Sequence, residues 1–320
     1  MYWRGYGYKY SSVANNSSIS HFSSTGTFSV SGNISSIILG TNFESATQYR
    51  RRYPTTHASN RGGLRGLFYY CIGLIDASGL VLPDIGYNYN YEFYHSLFAG
   101  CSGLTDASFD MPTIVTENSQ GGNYSSMFYG CTSLVNVPQF KMTTVMTSEF
   151  NGMFTNCTSL VNAPDLSSIT NNKGSCFYNM FYGCNNLTSP AKMWHFTTVT
   201  NNCFYGMYQK CSNLTESPVL SAEILATGCY SFMFYNCTNL RYIRMYATDI
   251  SASGCISRWV EGLHNTTGGI FVKNINATWT TTGASGVPSR WTIIYYDPSE
   301  DKYYTSQDKS QECDDHGNPI

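Results

Sequence analysis

Residues 127–134 read MFYGCTSL, and the same frame returns as LFYYCIGL at 67–74, LFAGCSGL at 97–104, MFTNCTSL at 153–160, MFYGCNNL at 180–187, MYQKCSNL at 207–214 and MFYNCTNL at 233–240. The shared cysteine stands at Cys71, Cys101, Cys131, Cys157, Cys184, Cys211 and Cys237, so successive copies lie 30, 30, 26, 27, 27 and 26 residues apart. A near-constant period in the twenties marks an array of stacked repeats, in the length range of leucine-rich repeats. A second ladder supports the frame, because Cys176, Cys203 and Cys229 each precede the main cysteine by eight residues and Cys255 continues the step. Aligned through Cys255, Trp259-Val260 replace Met-Phe and Leu263 replaces the cysteine, so an altered eighth copy is expected to cap the array.

One such unit is too small to bury its own apolar face, and stacking makes a shared core from the Met or Leu, Phe, Cys and Leu of every copy. The Met-Phe-x-x-Cys spacing predicts a short helical turn with these side chains on one side. The next Leu opens an extended stretch, and Pro138, Pro164, Pro190 and Pro218 close it six or seven residues after the cysteine. Proline has no amide to give a β ladder and so marks strand ends. The predicted fold is therefore an α/β leucine-rich-repeat solenoid, with a short strand and about two turns of helix per repeat.

Residues 1–62 read as a small N-terminal β cap and linker, with alternation at Thr27-Phe28-Ser29-Val30 and the Arg50-Arg51-Arg52 run as a solvated turn. The array spans 63–254, a capping repeat with β segments spans 255–296, and 297–320 is polar and aperiodic, as in a mobile tail or a partner contact. Gly269 to Lys273 and Trp291 to Tyr296 read as closing strands.

Only 12% of the 320 residues are charged and the net charge is −2, which leaves no electrostatic footprint for nucleic acid or an anionic membrane. Hydroxyls, amides and 26 tyrosines supply the polarity instead. The chain as given presents neither a signal peptide nor the run of about 20 apolar residues that crosses a bilayer, so no membrane insertion is expected.

The array from about Gly66 to Ala252 resembles the BspA-like leucine-rich repeats of Bacteroidales surface proteins, in the form found in gut Bacteroides and their phages. FSSTGTFSVSGN at 22–33 is similar to the opening segment of such proteins, and FVKN at 271–274, ATW at 277–279 and TGASGVP at 282–288 to their closing one. The resemblance implies a binding or adhesion role on a bacterial surface or a virion, with no shared catalytic residue.

Twelve cysteines invite a metal reading, but zinc sites need close pairs such as C-x-x-C, and the short spacing here is eight. Stacked buried thiols are the better account. Neighbouring rungs about 4.8 Å apart would permit disulfides along a ladder, although parallel Cβ vectors give poor torsions, which favours free thiols. The six histidines are scattered outside any nucleophile, zincin or phosphate-loop motif, and Asp314, Asp315 and His316 beside Cys313 resemble a metal cluster only superficially. No cofactor and no enzymatic activity are expected.

The first two repeats are longer than the rest, and Tyr87, Tyr89, Tyr91 and Tyr94 crowd the insertion in the second. Per-repeat insertions project onto one face, often the binding face, and tyrosine offers a flat ring and a hydroxyl at small entropic cost. Trp194 and His195 form a weaker candidate in a later loop. The expected function is recognition of a cell-surface glycan or protein, with the end caps open to self-association or to a virion partner; a structural spacer in a viral fibre is the alternative. Asn172 reads as an exposed position where a charge would be nearly silent.

Overall fold

The computed structural model describes residues 26–34, 64–84, 92–113, 121–193, 196–263 and 268–320. The described residues contain no α-helix, so the helix-bearing α/β leucine-rich-repeat solenoid is overturned. Among the described residues eight strands form two sheets. The first pairs β1 (Phe28–Asn33) with β2 (Leu74–Val81) in parallel. The second runs in the order β3 (Glu216–Leu220), β4 (Tyr242–Met245), β5 (Ile270–Asn274), β6 (Thr292–Asp297), β7 (Lys302–Tyr304) and β8 (Glu312–Cys313). Its first four strands are parallel and its last two antiparallel.

What replaces the helix is visible in the rung that ends at Cys157. The amides of Phe150, Gly152, Phe154 and Asn156 donate to carbonyls of the following rung, at Cys176, Tyr178, Met180 and Tyr182, over 2.7–2.9 Å. The intervening amides of Asn151, Met153, Thr155 and Cys157 instead close local turns onto the carbonyl three residues back. An α-helix would send every amide four residues back along its own axis; here alternate amides leave the segment and tie it to its neighbour, as in a parallel sheet. The backbone reverses through the left-handed region at every fourth residue: Ser148 at φ 56°, Gly152 at 61° and Asn156 at 60°. The same three positions of the other described rungs repeat this, mostly with Gly, Asn or Ser, of which Gly and Asn tolerate it best. Asn156 also shows why glycine follows it in the next rung, since its amide oxygen lies 2.3 Å from where a Cβ on Gly183 would stand.

The four-residue period turns positions 8, 7, 4 and 3 before the main cysteine, and the cysteine itself, toward the interior. Two aromatic columns result. Phe68, Phe98, Phe128, Phe154, Phe181, Tyr208 and Phe234 stack with centroids 5.3–5.8 Å apart. Tyr94, Tyr124, Phe150, Phe177, Phe204 and Tyr230 form the other, at 5.2–5.8 Å. Each such contact adds about 0.5–1.5 kcal/mol beyond the area it buries. One continuous core runs from Ile34 to Trp291 through every described rung. The leucine three residues after each cysteine, from Leu74 to Leu240, is fully buried.

The extended stretches after these leucines are mostly too short for strands. Asp106 bridges Asn136, and Asn162 bridges Ser189, as single parallel links beside the prolines. Pro218 lies inside β3, where the pairing with β4 slips between Glu216 and Val219. The altered eighth copy stacks as a further rung: Tyr230, Phe232, Phe234 and Asn236 donate to Cys255, Ser257, Trp259 and Glu261. Trp259 is fully buried and its indole nitrogen donates to the Gly286 carbonyl at 2.9 Å.

Residues 297–320, read from the sequence as a mobile tail or a partner contact, add β7 and β8 to the second sheet. Cys313 packs with Tyr242, Val272 and Ile294 in a small separate core, and Gln307 donates to the carbonyls of Ile275 and Ala277. The absence of periodicity misleads here because the segment is held by Asx turns and side-chain bonds rather than by an apolar stripe. Asn172 is also not the free position expected. It is half-buried, donates to the Thr198 carbonyl and accepts from Thr200 and Cys203.

Candidate functional site

Position 6 before the main cysteine faces outward in the described rungs except at Ser231, and position 2 except at Ala99 and Thr155; over the last rungs both positions, with Phe232 at position 5, carry rings. Tyr178 and Tyr205 lie face to face, with centroids 4.5 Å apart and an interplanar angle of 1°. Phe232 continues the row at 5.4 Å from Tyr205, and Tyr235 packs beside it at 5.8 Å. All four rings are half-buried, so each keeps a face or edge on the surface. Tyr69, Tyr129, Tyr182 and Tyr235 occupy the position two before the cysteine in alternate rungs. Tyr69 and Tyr129 are exposed.

Two cations border the rings. Arg258 sits over Phe232 and Tyr235, 5.1 and 5.4 Å from their centroids, while Glu261 accepts two hydrogen bonds from its guanidinium. Lys210 lies 5.0 Å over the Tyr182 ring, and the Tyr182 hydroxyl holds its ammonium above the usual lysine range. Partial burial, then the neighbouring Tyr205, raises the Tyr178 hydroxyl. The face is thus flat, aromatic and hydroxyl-bearing, with little net charge. Such a surface can stack on the apolar face of a sugar ring or seat a protein side chain, with arginine and tyrosine as natural anchors.

The residues singled out from the sequence fall elsewhere. Tyr87, Tyr89, Tyr91, Trp194 and His195 lie outside the described residues. Tyr94 is fully buried: its ring heads the second aromatic column and its hydroxyl donates to the Pro83 carbonyl, so it presents nothing to a ligand. Its position seven before Cys101, shared with Tyr124 and Phe150, is the signal that separates it from the insertion. The outward rings were missed because the helical reading gave no reason to distinguish the second residue before the cysteine from the third.

The cysteines of both ladders are free and buried. Burial pushes the thiols of Cys131, Cys157, Cys176 and Cys211 well above their ordinary range and those of Cys184 and Cys229 up to about 12. Thiols so held are poor nucleophiles and poor metal ligands. Among the described residues, Asp314, Asp315 and His316 alone bring three potential ligand atoms within 4.8 Å of one another. Asp314 there holds its own turn, accepting from the amides of His316 and Asn318 and from the Asn318 side chain.

A family model described as "Mycoplasma protein of unknown function, DUF285" matches residues 97–222, the rungs whose cysteines run from Cys101 to Cys211. This is less than half of the chain and is compatible with the resemblance to surface repeat proteins. No curated protein matches the chain. No helix among the described residues is long and apolar enough to cross a membrane.

Proposed function

We propose that this chain is a non-enzymatic recognition protein that binds a weakly charged cell-surface ligand, glycan or protein, through the outward aromatic face. The observation that carries this reading is the face-to-face Tyr178–Tyr205 pair continued by Phe232, a row of rings left partly open to solvent. A glycan or a protein segment suits it, because the row leaves an apolar strip of ring edges at the surface and the tyrosine hydroxyls supply hydrogen bonds. The setting that fits is the outside of a bacterium or of a virion.

The test is attachment to target cells or to immobilised neutral glycans. The Tyr178→Ser/Tyr205→Ser double variant is expected to lose about tenfold or more, at roughly 1 kcal/mol per ring contact removed. Raising the salt concentration should change attachment little, because few charges contribute. A double variant that folds and attaches with parental strength would move the site to the Tyr87–Tyr91 insertion. A protein that binds no glycan or cell surface at all would favour the spacer alternative.

A further inference from the structure

The two cysteine ladders hold their sulfurs differently. In the main ladder from Cys101 onward each Sγ donates to a carbonyl of the preceding rung: Cys101 to Phe68 at 2.9 Å, Cys131 to Phe98 at 3.1 Å and Cys157 to Phe128 at 3.2 Å. Cys184, Cys211 and Cys237 follow suit, to Phe154, Phe181 and Tyr208 at 2.9–3.1 Å. In the second ladder Cys229 and Cys255 also reach carbonyls, of Cys255 and Ile250. Cys176 and Cys203 differ, because their sulfurs face each other at 3.1 Å, with Cys203 also within 3.4 Å of the Asn172 side-chain oxygen rather than bonded to a carbonyl of the preceding rung's backbone.

Their backbones are ladder neighbours, since the amide next to Cys176, that of Phe177, donates to the Cys203 carbonyl at 2.9 Å. Adjacent ladder strands lie about 4.8 Å apart, inside the Cα separation of roughly 4.4–6.8 Å that a disulfide accepts. Closing the bond needs the sulfurs to approach by about 1 Å, toward the usual length of about 2.05 Å. The parallel-vector objection to disulfides therefore holds for the main ladder, where the carbonyl bonds engage the sulfurs, and not for this pair.

We propose that Cys176 and Cys203 are an oxidisable pair, closed as a single disulfide between successive rungs when the chain folds in the presence of a small-molecule disulfide. One thiolate attacks the small disulfide, forms a mixed disulfide and releases one small thiol. The second thiolate attacks the protein sulfur of that mixed disulfide and releases the other. Two S–H bonds are lost and one S–S bond forms, and the small disulfide carries away both electrons and both protons as two thiols. Both side chains are fully buried in the finished stack, so exchange belongs to folding, before the rungs seal. The cross-link would pin the rung that lies directly on Glu149, whose neighbour Phe150 donates to the Cys176 carbonyl.

The full chain is refolded from denaturant with oxidised glutathione, or with dithiothreitol, and then mapped by mass spectrometry after alkylation. The expected result with oxidised glutathione is a mass about 2 Da lower before alkylation, one cross-linked peptide pair joining Cys176 to Cys203, and a higher denaturation midpoint than the reduced form. Cys176→Ser and Cys203→Ser should each abolish the mass change, while Cys184→Ser should not. Should a serine variant fail to fold, the cross-link map of the unaltered chain decides the matter alone. Twelve alkylated cysteines after oxidative refolding, or cross-links spread equally over the main ladder, would overturn the proposal.

Discussion

Phe181→Asp is expected to destabilise the array by more than about 4 kcal/mol at neutral pH, because it combines loss of a buried aromatic with burial of an unpaired carboxylate. Phe181 stacks between Phe154 and Tyr208 at 5.6 and 5.4 Å, so the ring supports two neighbours at once. Cys184→Asp should act in the same direction, since Cys184 is fully buried and its sulfur donates to the Phe154 carbonyl. Because an introduced acid can lower its cost by staying protonated, the loss should grow as pH rises above about 4. Urea denaturation read by fluorescence measures it. Glu223→Gln, at an exposed position, should shift stability by no more than about 0.5 kcal/mol. Equal midpoints for all three variants would refute the rung register.

Glu149→Gln should have the second largest effect, and in the opposite direction. Glu149 stands in the register that later rungs give to Cys176, Cys203 and Cys229, and its carboxylate makes no hydrogen bond of good geometry, Asn123 offering only weak ones. Burial pushes its pKa from 4.5 up to about 8, and Asn123 draws it back only in part. Burial, and then the Glu149 charge, raise the hydroxyl of Tyr124. The unfolded chain loses this proton near 4.5 and the folded chain near 8, so stability is full below pH 4.5 and drains away as pH rises through that interval. At pH 7 the loss amounts to roughly 3 kcal/mol, at about 1.4 kcal/mol per pH unit. The glutamine variant should match the parent near pH 4, exceed it by up to that amount at pH 7, and show a flatter profile between. Parallel pH profiles for the two proteins would show that the carboxyl is solvated after all.

Several features were legible without coordinates. The repeat frame is one, because each rung must offer the same apolar side chains to the same neighbours, and the cysteine ladder records that demand. The closing strands at Ile270–Asn274 and Thr292–Asp297 were legible too, since each is a run of β-branched and aromatic residues that fits a half-buried pleat. The aromatic face was legible only in retrospect. Alternate rungs carry Tyr69, Tyr129, Tyr182 and Tyr235 in one position, but which side of the chain that position faces depends on the backbone path.

That path is what the tertiary structure decided. Met-Phe-x-x-Cys satisfies a helical turn and the four-residue ribbon equally well, because both return a side chain to the same side after three or four residues. The ribbon wins where alternate amides find carbonyls on the next rung, a choice no single repeat can make. Glycine, asparagine and serine at every fourth residue hint at it, but Tyr70, Lys210, Phe232 and Arg258 hold the same left-handed turns, at φ 51–64°. Those side chains pay a local conformational cost that only the stacking of neighbouring rungs offsets. The amino-acid sequence by itself thus determined which residues repeat and which are apolar; contact between rungs determined the backbone conformation, the outward position of the rings and the meeting of two sulfurs among twelve.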